Sequence, residues 1–115
     1  MSDHPNAELV RRRSPDVLAE GVRWHFPGRS RMAGDFEGRD AVVAHLMDHD
    51  AVATSEVAAV LDDDKFAIAI EHVTAERDGK VYDRHDVIVY RIKEGKVAEG
   101  WHYPESQYEW DDLLS

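Results

Sequence analysis

The sequence predicts an α+β fold in which short helices cover one face of a mostly antiparallel sheet. Three observations predict it. The first half of the chain carries short apolar-periodic stretches broken by proline, and the second half carries four alternating apolar runs. Two of the breaks between those runs are tight-turn dipeptides, so consecutive strands return on one another. Helices followed by a run of hairpin-linked strands fit a helix-on-sheet layer better than an alternating parallel fold.

Residues 4 to 13 (HPNAELVRRR) read as a short helix with Pro5 in its first turn. A second short helix is expected from Pro15 to Glu20, with Ser14 as its N-cap. Val22, Trp24 and Phe26 then alternate with Arg23 and His25, a strand that Pro27-Gly28 ends. The glycine-bearing stretch GRSRMAGDFEGRD reads as a loop. Arg39 or Asp40 opens the next helix, where Val42, Val43, Leu46 and Met47 recur at helical spacing up to about His49. The strands SEVAAVL, KFAIAIEHVTAE, KVYDRHDVIVYRI and KVAEGWHY complete a meander. Their separators are Asp62 to Asp64, Asp78-Gly79 and Glu94-Gly95. Such a sheet needs a covered face, and the helical cover is thin enough that a second subunit is expected to help.

Composition narrows the function classes. A chain of 115 residues is expected to form a single domain over 1–115, burying roughly two-thirds of its unfolded surface. It has no cysteine, which removes thiolate chemistry and cysteine zinc sites and leaves histidines and carboxylates as candidates. Twenty-four acidic against 14 basic residues give a formal charge of −10, which argues against nucleic acid and anionic membrane surfaces as partners. The basic run Arg11 to Arg13 is short and reads as a solvated helix end. No apolar stretch is long enough for a span or a signal core, so a cytoplasmic setting is expected.

Strand alternation assigns side chains to faces. Phe66, Ile68, Ile70 and His72 share one face of their strand, with Ala67, Ala69, Glu71 and Val73 on the other. Asp86 and Tyr90 share a face with Ile88, and Gly100 leaves space beside His102. His25, His72 and His102 can thus converge, with Asp86 orienting one of them, since a carboxylate fixes the tautomer of an imidazole and raises its basicity. The plainer reading of each histidine is a part-buried side chain satisfied by a backbone carbonyl. A three-histidine metal site lacks diagnostic spacing, so no metal is expected. His45 and His49 have chelating spacing but no HExxH motif, and read as solvated. Trp24, Trp101, Tyr103 and Trp110 read more readily as core or subunit contact than as ligand stacking, and of these Trp24 and Trp101 are the candidate pocket walls.

Two stretches carry a family resemblance. Val22 to Leu46, VRWHFPGRSRMAGDFEGRDAVVAHL, resembles the SnoaL-like and ketosteroid-isomerase-like proteins of the NTF2-like superfamily, in which a W-H-x-P-G turn precedes an A-G-x-x-x-G loop and a helix. The C-terminal half, AERDGKVYDRHDVIVYRIKEGKVAEGWHYPESQY, is similar to the same family's paired strands and aromatic tail. The resemblance implies an NTF2-like (cystatin-like) cone, its curved sheet wrapped by N-terminal helices, usually paired as a homodimer and opening on a pocket for a small organic molecule. Members include isomerases, polyketide cyclases, dehydratases, epoxide hydrolases and proteins that only bind.

By that resemblance His25 takes the position of the isomerases' carboxylate base, and Phe66, Ile68, Ile70, His72, Ile88, Tyr90 and His102 face the cavity. The opening helices are shorter than the family's. The oxyanion tyrosine of the isomerases' first helix has no counterpart, and Ile88 stands where they place a protonated acid. The expected activity is that of a cofactor-independent isomerase, cyclase, hydratase or epoxide-hydrolase-type enzyme acting on a small, largely apolar substrate. His25 would be the acid or base, His72, His102 and Tyr90 the donors, and Asp86 the orienter. The alternative is a non-catalytic ligand-binding or regulatory domain.

Overall fold

The computed structural model describes residues 5–12, 15–30, 32–47 and 52–114, the side chains of Pro5, Leu46, Met47, Val52 and Ala53 excepted. The chain begins with helix α1 (Pro5–Arg12), followed by a single 3₁₀ turn (Pro15–Val17). Strands β1 (Leu18–Phe26) and β2 (Gly34–Glu37) lead to helix α2 (Arg39–Met47). Strands β3 (Val52–Asp62), β4 (Phe66–Arg77), β5 (Lys80–Lys93) and β6 (Lys96–Tyr103) are followed by helix α3 (Gln107–Leu114). The strands form one curved, unclosed sheet in the order β2-β1-β6-β5-β4-β3, antiparallel throughout except where β1 runs parallel to β6. The expected meander is β3 to β6. Its two tight turns carry positive φ at both central residues, Asp78 (52°) with Gly79 (80°) and Glu94 (53°) with Gly95 (74°), which is the backbone twist that joins adjacent strands.

All three α-helices pack on one face of the sheet: α1 on β3 and β4, α2 on β1 and β2, and α3 on β4 and β5. Helix α1 turns Ala7, Leu9 and Val10 inward. It is tethered by Asp62, whose carboxylate accepts from the Ala7 N–H at 3.0 Å, one of the donors a helix leaves unmatched in its first turn. Helix α3 is pinned by Arg84, which holds Glu109 through two nitrogens at 2.6 and 3.2 Å. Beneath the helices lie Val22, Trp24, Val42, Ile88, Ile92 and Val97 at one end of the core, and Val73, Ala75, Tyr82 and Leu113 at the other. Among the described residues no helix is long and apolar enough to cross a membrane.

Several expectations need correction. The second helix is only a turn, because Leu18 is drawn into the sheet beside Val97. The glycine-bearing loop contains β2, whose Phe36 pairs with Trp24. The C-terminal tail is helical, with Ser106 Oγ accepting the Glu109 N–H at 3.3 Å. On β4 the helix-facing residues are Ala67, Ala69, Glu71, Val73 and Ala75, so Phe66, Ile68, Ile70 and His72 lie on the outer face rather than toward a cavity. The pairing was read correctly and the side was not. Small residues let α1 approach the sheet, as Val10 does over Ala67 and Ala69, while the large ones are left outside. Ser14 and His49 lie outside the described residues.

Candidate functional site

Cross-strand register places the polar inner face. Ile88 pairs with His102, Tyr90 with Gly100, and Asp86 with Glu71, and Trp24 lies beside Gly100 across the parallel β1–β6 pair. Directly paired residues share a face, so Trp24, Glu71, Asp86, Ile88, Tyr90 and His102 all lie beneath the helices. The sequence expectation that Gly100 leaves space for a ligand beside His102 is corrected. The Trp24 indole occupies it, and a Cβ on Gly100 would meet Cε3 and Cζ3 at 2.7 Å.

Asp86 is the centre of this face. It is fully buried, and its carboxylate accepts from the Tyr82 hydroxyl at 2.5 Å, the Glu105 backbone N–H at 3.1 Å and His102 Nε2 at 2.7 Å. Burial raises its pKa, but hydrogen bonds from His102, Tyr82 and the Glu105 backbone outweigh that, leaving the carboxyl below its ordinary range. Tyr82 moves the other way: burial first, and then the Asp86 carboxylate, hold its hydroxyl protonated well above the usual range. An ionised carboxylate can only accept, so the proton of His102 sits on Nε2. For the other ring nitrogen, Nδ1, no described residue supplies a hydrogen-bond partner. Trp110 of α3 meets His102 edge-on at 5.5 Å and Tyr82 at 5.0 Å, closing this corner.

Two other polar groups belong to the same face. Glu71 is buried, and the Tyr90 hydroxyl donates to its Oε2 at 3.4 Å. Trp24 Nε1 is buried with no partner among the described residues.

The other two candidate imidazoles are elsewhere. His25 faces outward, stacked on Trp101 at 5.5 Å, with Nδ1 against Asp35 at 2.8 Å and Nε2 against Glu99 at 2.5 Å. Glu99 also takes Arg23 and Arg91, at 3.4 and 3.2 Å. Hydrogen bonds to Glu99 and then Asp35 raise the His25 pKa, which favours the protonated ring, in which both nitrogens donate. His72, also outside, bonds Asp83 at 2.6 Å and stacks on His85 at 4.9 Å. The expected convergence of three histidines is therefore corrected: His102 is on the helix side, while His25, His72 and Trp101 lie on the other. Odd and even positions along a strand cannot meet across a sheet. His45 is packed against Phe36 at 3.9 Å and bonds the Met32 carbonyl at 2.8 Å, not solvated as expected.

Among the described residues no group of three or more His, Asp or Glu side chains is arranged to hold a metal ion. A polar depression of about 610 Å³ opens at the start of α2, lined by Glu20, Glu37, Gly38, Arg39, Asp40 and Ala41. It contains no histidine and lies apart from the Asp86 cluster, so chemistry rather than volume identifies the site. Sequence reasoning gave no role to Tyr82 or Glu71, and it weighed Trp110 only as core, subunit contact or pocket wall. Tyr82 was visible as the residue four before Asp86 on the same strand face, and Trp110 through the S-x-x-E capping box of Ser106 and Glu109 that opens its helix.

The chain matches the SnoaL-like domain over residues 11–100. Rv0034 of Mycobacterium tuberculosis, an uncharacterised protein, is 34% identical, the match covering 85% of this chain and 87% of that one. The solved structure of Bal32a, from a soil-derived mobile gene cassette, has a TM-score of 0.87 at 32% identity and covers 96% of this chain and 97% of its own. An NTF2-like protein from Burkholderia xenovorans shares the fold, with a TM-score of 0.82 at 17% identity over 100% of this chain and 99% of that one. The chain belongs to the SnoaL-like family, and its fold is that of NTF2-like proteins.

Proposed function

We propose that the inner face binds a small, largely apolar organic molecule and that His102, oriented by Asp86, moves a proton on it without a cofactor, in chemistry of the isomerase, cyclase or hydratase type. The single observation that carries this reading is the Asp86–His102 contact at 2.7 Å on a buried, multiply bonded carboxylate. A carboxylate that fixes the Nε2–H tautomer leaves the Nδ1 lone pair as the base and stabilises the imidazolium once the proton arrives. Tyr90, on the same face, is the donor assigned to developing oxyanion charge, its hydroxyl turning to it from the long 3.4 Å bond to Glu71.

The same cluster also favours a second reading. Asp86 ties β5 to β6 and to the segment before α3, which is a structural task complete in itself. On that reading the protein binds a ligand and does no chemistry.

A deuterium-exchange assay separates the two. The protein is incubated in D2O buffer with a panel of enolisable cyclic ketones that includes 2-tetralone, and incorporation is measured by mass spectrometry against buffer alone. Proton transfer gives catalysed incorporation that falls about 10²-fold or more in His102→Ala. Saturable binding with no incorporation selects the binding-only reading.

The proposal extends to a homodimer formed through the outer face. Phe66 and Ile68 are 39% and 37% exposed there, near Leu61 and Tyr103, which is the kind of continuous apolar surface that a second copy covers.

A further inference from the structure

Strands β4 and β5 set two imidazoles directly opposite one another on the outer face. His72 pairs with His85 across the strands, and their rings stack at 4.9 Å with 20° between the planes. Direct cross-strand partners interact, and two groups that cannot both take a proton without repulsion are not the pair that sheet stability selects. Burial does not call for it either, because the His72 side chain is 39% exposed and His85 is exposed.

The surroundings favour a cation. Asp83, the next outward-facing residue before His85 on β5, bonds His72 Nε2 at 2.6 Å. An ionised carboxylate only accepts, so the neutral ring carries its proton on Nε2 and keeps its lone pair on Nδ1. No described residue bonds either ring nitrogen of His85. Glu56 of β3 lies beside His72 in the same cross-strand row. From that row to the Asp78-Gly79 turn the outer positions of β3 to β5 include Glu76 and Asp83 but no lysine or arginine. In a chain with a formal charge of −10, such a corner attracts positive ions.

We infer that His72 and His85 form a two-point chelate for a divalent transition ion of the copper, nickel or zinc kind, with His72 binding through Nδ1. Imidazole suits these ions, whereas magnesium and calcium take oxygen ligands. An ion about 2 Å from each of two nitrogens needs them roughly 3 Å apart, which stacked rings on neighbouring strands reach by small side-chain rotations. Asp83, on the second nitrogen of His72, orients the ligating ring and raises its basicity. Water completes the coordination. A two-ligand site agrees with the finding that, among the described residues, no three or more such side chains are arranged for a metal. The pair lies on the face opposite His102, two rows along β4 from Ile68, so it stands independently of the proton-transfer reading.

The test is a titration of the whole chain with zinc chloride, with magnesium chloride as the control. It is followed by calorimetry and by long-range ¹H–¹⁵N imidazole spectra, with each ring assigned through its own backbone resonances. Zinc is expected to move the His72 and His85 rings together, and magnesium neither. His72→Gln and His85→Gln are each expected to weaken zinc binding about ten-fold or more, the scale on which even an outer partner of a ligand counts. Because the spectra are read on the wild-type protein, they decide the matter even where a variant folds poorly. Zinc that moves His45, whose spacing from His49 suits chelation, while leaving His72 and His85 unmoved overturns the inference. So does the lack of any response of the two rings below about a millimolar zinc, or zinc binding that both variants leave unchanged.

Discussion

His102 Nε2 and Asp86 Oδ2 lie 2.7 Å apart on the helix-covered face of the sheet, and the carboxylate that holds the imidazole is itself fully buried. Because Asp86 also accepts from Tyr82 and the Glu105 N–H, replacing it with asparagine keeps the shape and inserts an NH2 among three donors. At least one donor then faces another donor. Asp86→Asn should lose about 1–3 kcal/mol of stability, read from denaturant midpoints, and free His102 to populate the Nδ1–H tautomer, read from long-range ¹H–¹⁵N imidazole spectra. Any catalysed exchange should fall about 10²-fold or more with it. An Nε2–H tautomer that persists in the variant would remove Asp86 from the orienting role.

Trp24 and Gly100 are a matched pair. A methyl on Gly100 would sit 2.7 Å from two indole carbons, inside any carbon–carbon contact distance. Gly100→Ala should therefore cost about 1–3 kcal/mol through overpacking, and the cost should shrink when Trp24 is replaced by leucine in the same chain. A double-variant cycle with no coupling energy would show that the strand, not the indole, requires glycine.

What the sequence made legible follows from which signals are local. The two type I′ turns at Asp78-Gly79 and Glu94-Gly95 and the alternation between them set the meander, and each strand was readable from its own residues. Which face of β4 meets the helices is not a local property. Phe66, Ile68 and Ile70 look like core beside alanines, yet a sheet with one helix-covered side can be apolar on both, and hydrophobicity alone does not choose. The convergence of His25 with His102 failed for that reason. Asp86 and His102 are 16 positions apart and meet only through the β5–β6 register, so their contact needed the fold. Strand β2, four residues among glycines, is too short for periodicity to reveal.

The outer face makes a separate prediction. Ile68 sits there between Leu61 on β3 and Val89 on β5. If a second copy covers this surface, Ile68→Asp should convert a dimer to a monomer in sedimentation experiments while leaving the far-ultraviolet circular dichroism unchanged, since the residue has no role in the helix-side core. A wild-type protein that sediments as a monomer at micromolar concentration would sink the homodimer.

His25 belongs to that outer face, and its electrostatics give stability a direction in pH. Hydrogen bonds to Glu99 and Asp35 raise its folded pKa above the ordinary 6.5. A raised histidine contributes its full stabilisation below about 6.5 and loses it as pH climbs through the folded value, so this contribution falls on the alkaline side. The carboxylates behave oppositely. Glu99 is held below its ordinary 4.5 chiefly by His25, and Asp86 ends below 3.8 because the hydrogen bonds of His102 and Tyr82 outweigh burial. Their contributions are complete above those values and are lost as pH falls through the lowered ones. Stability should thus be flat from about 4.5 to 6.5 and decline on both sides. In His25→Gln the alkaline decline should be weaker, and because the residue faces away from His102, catalysed exchange should be unchanged. Denaturant midpoints of wild type and variant that run parallel from pH 6 to pH 9 would show that the imidazolium contributes nothing, and a collapse of exchange would return His25 to the chemistry.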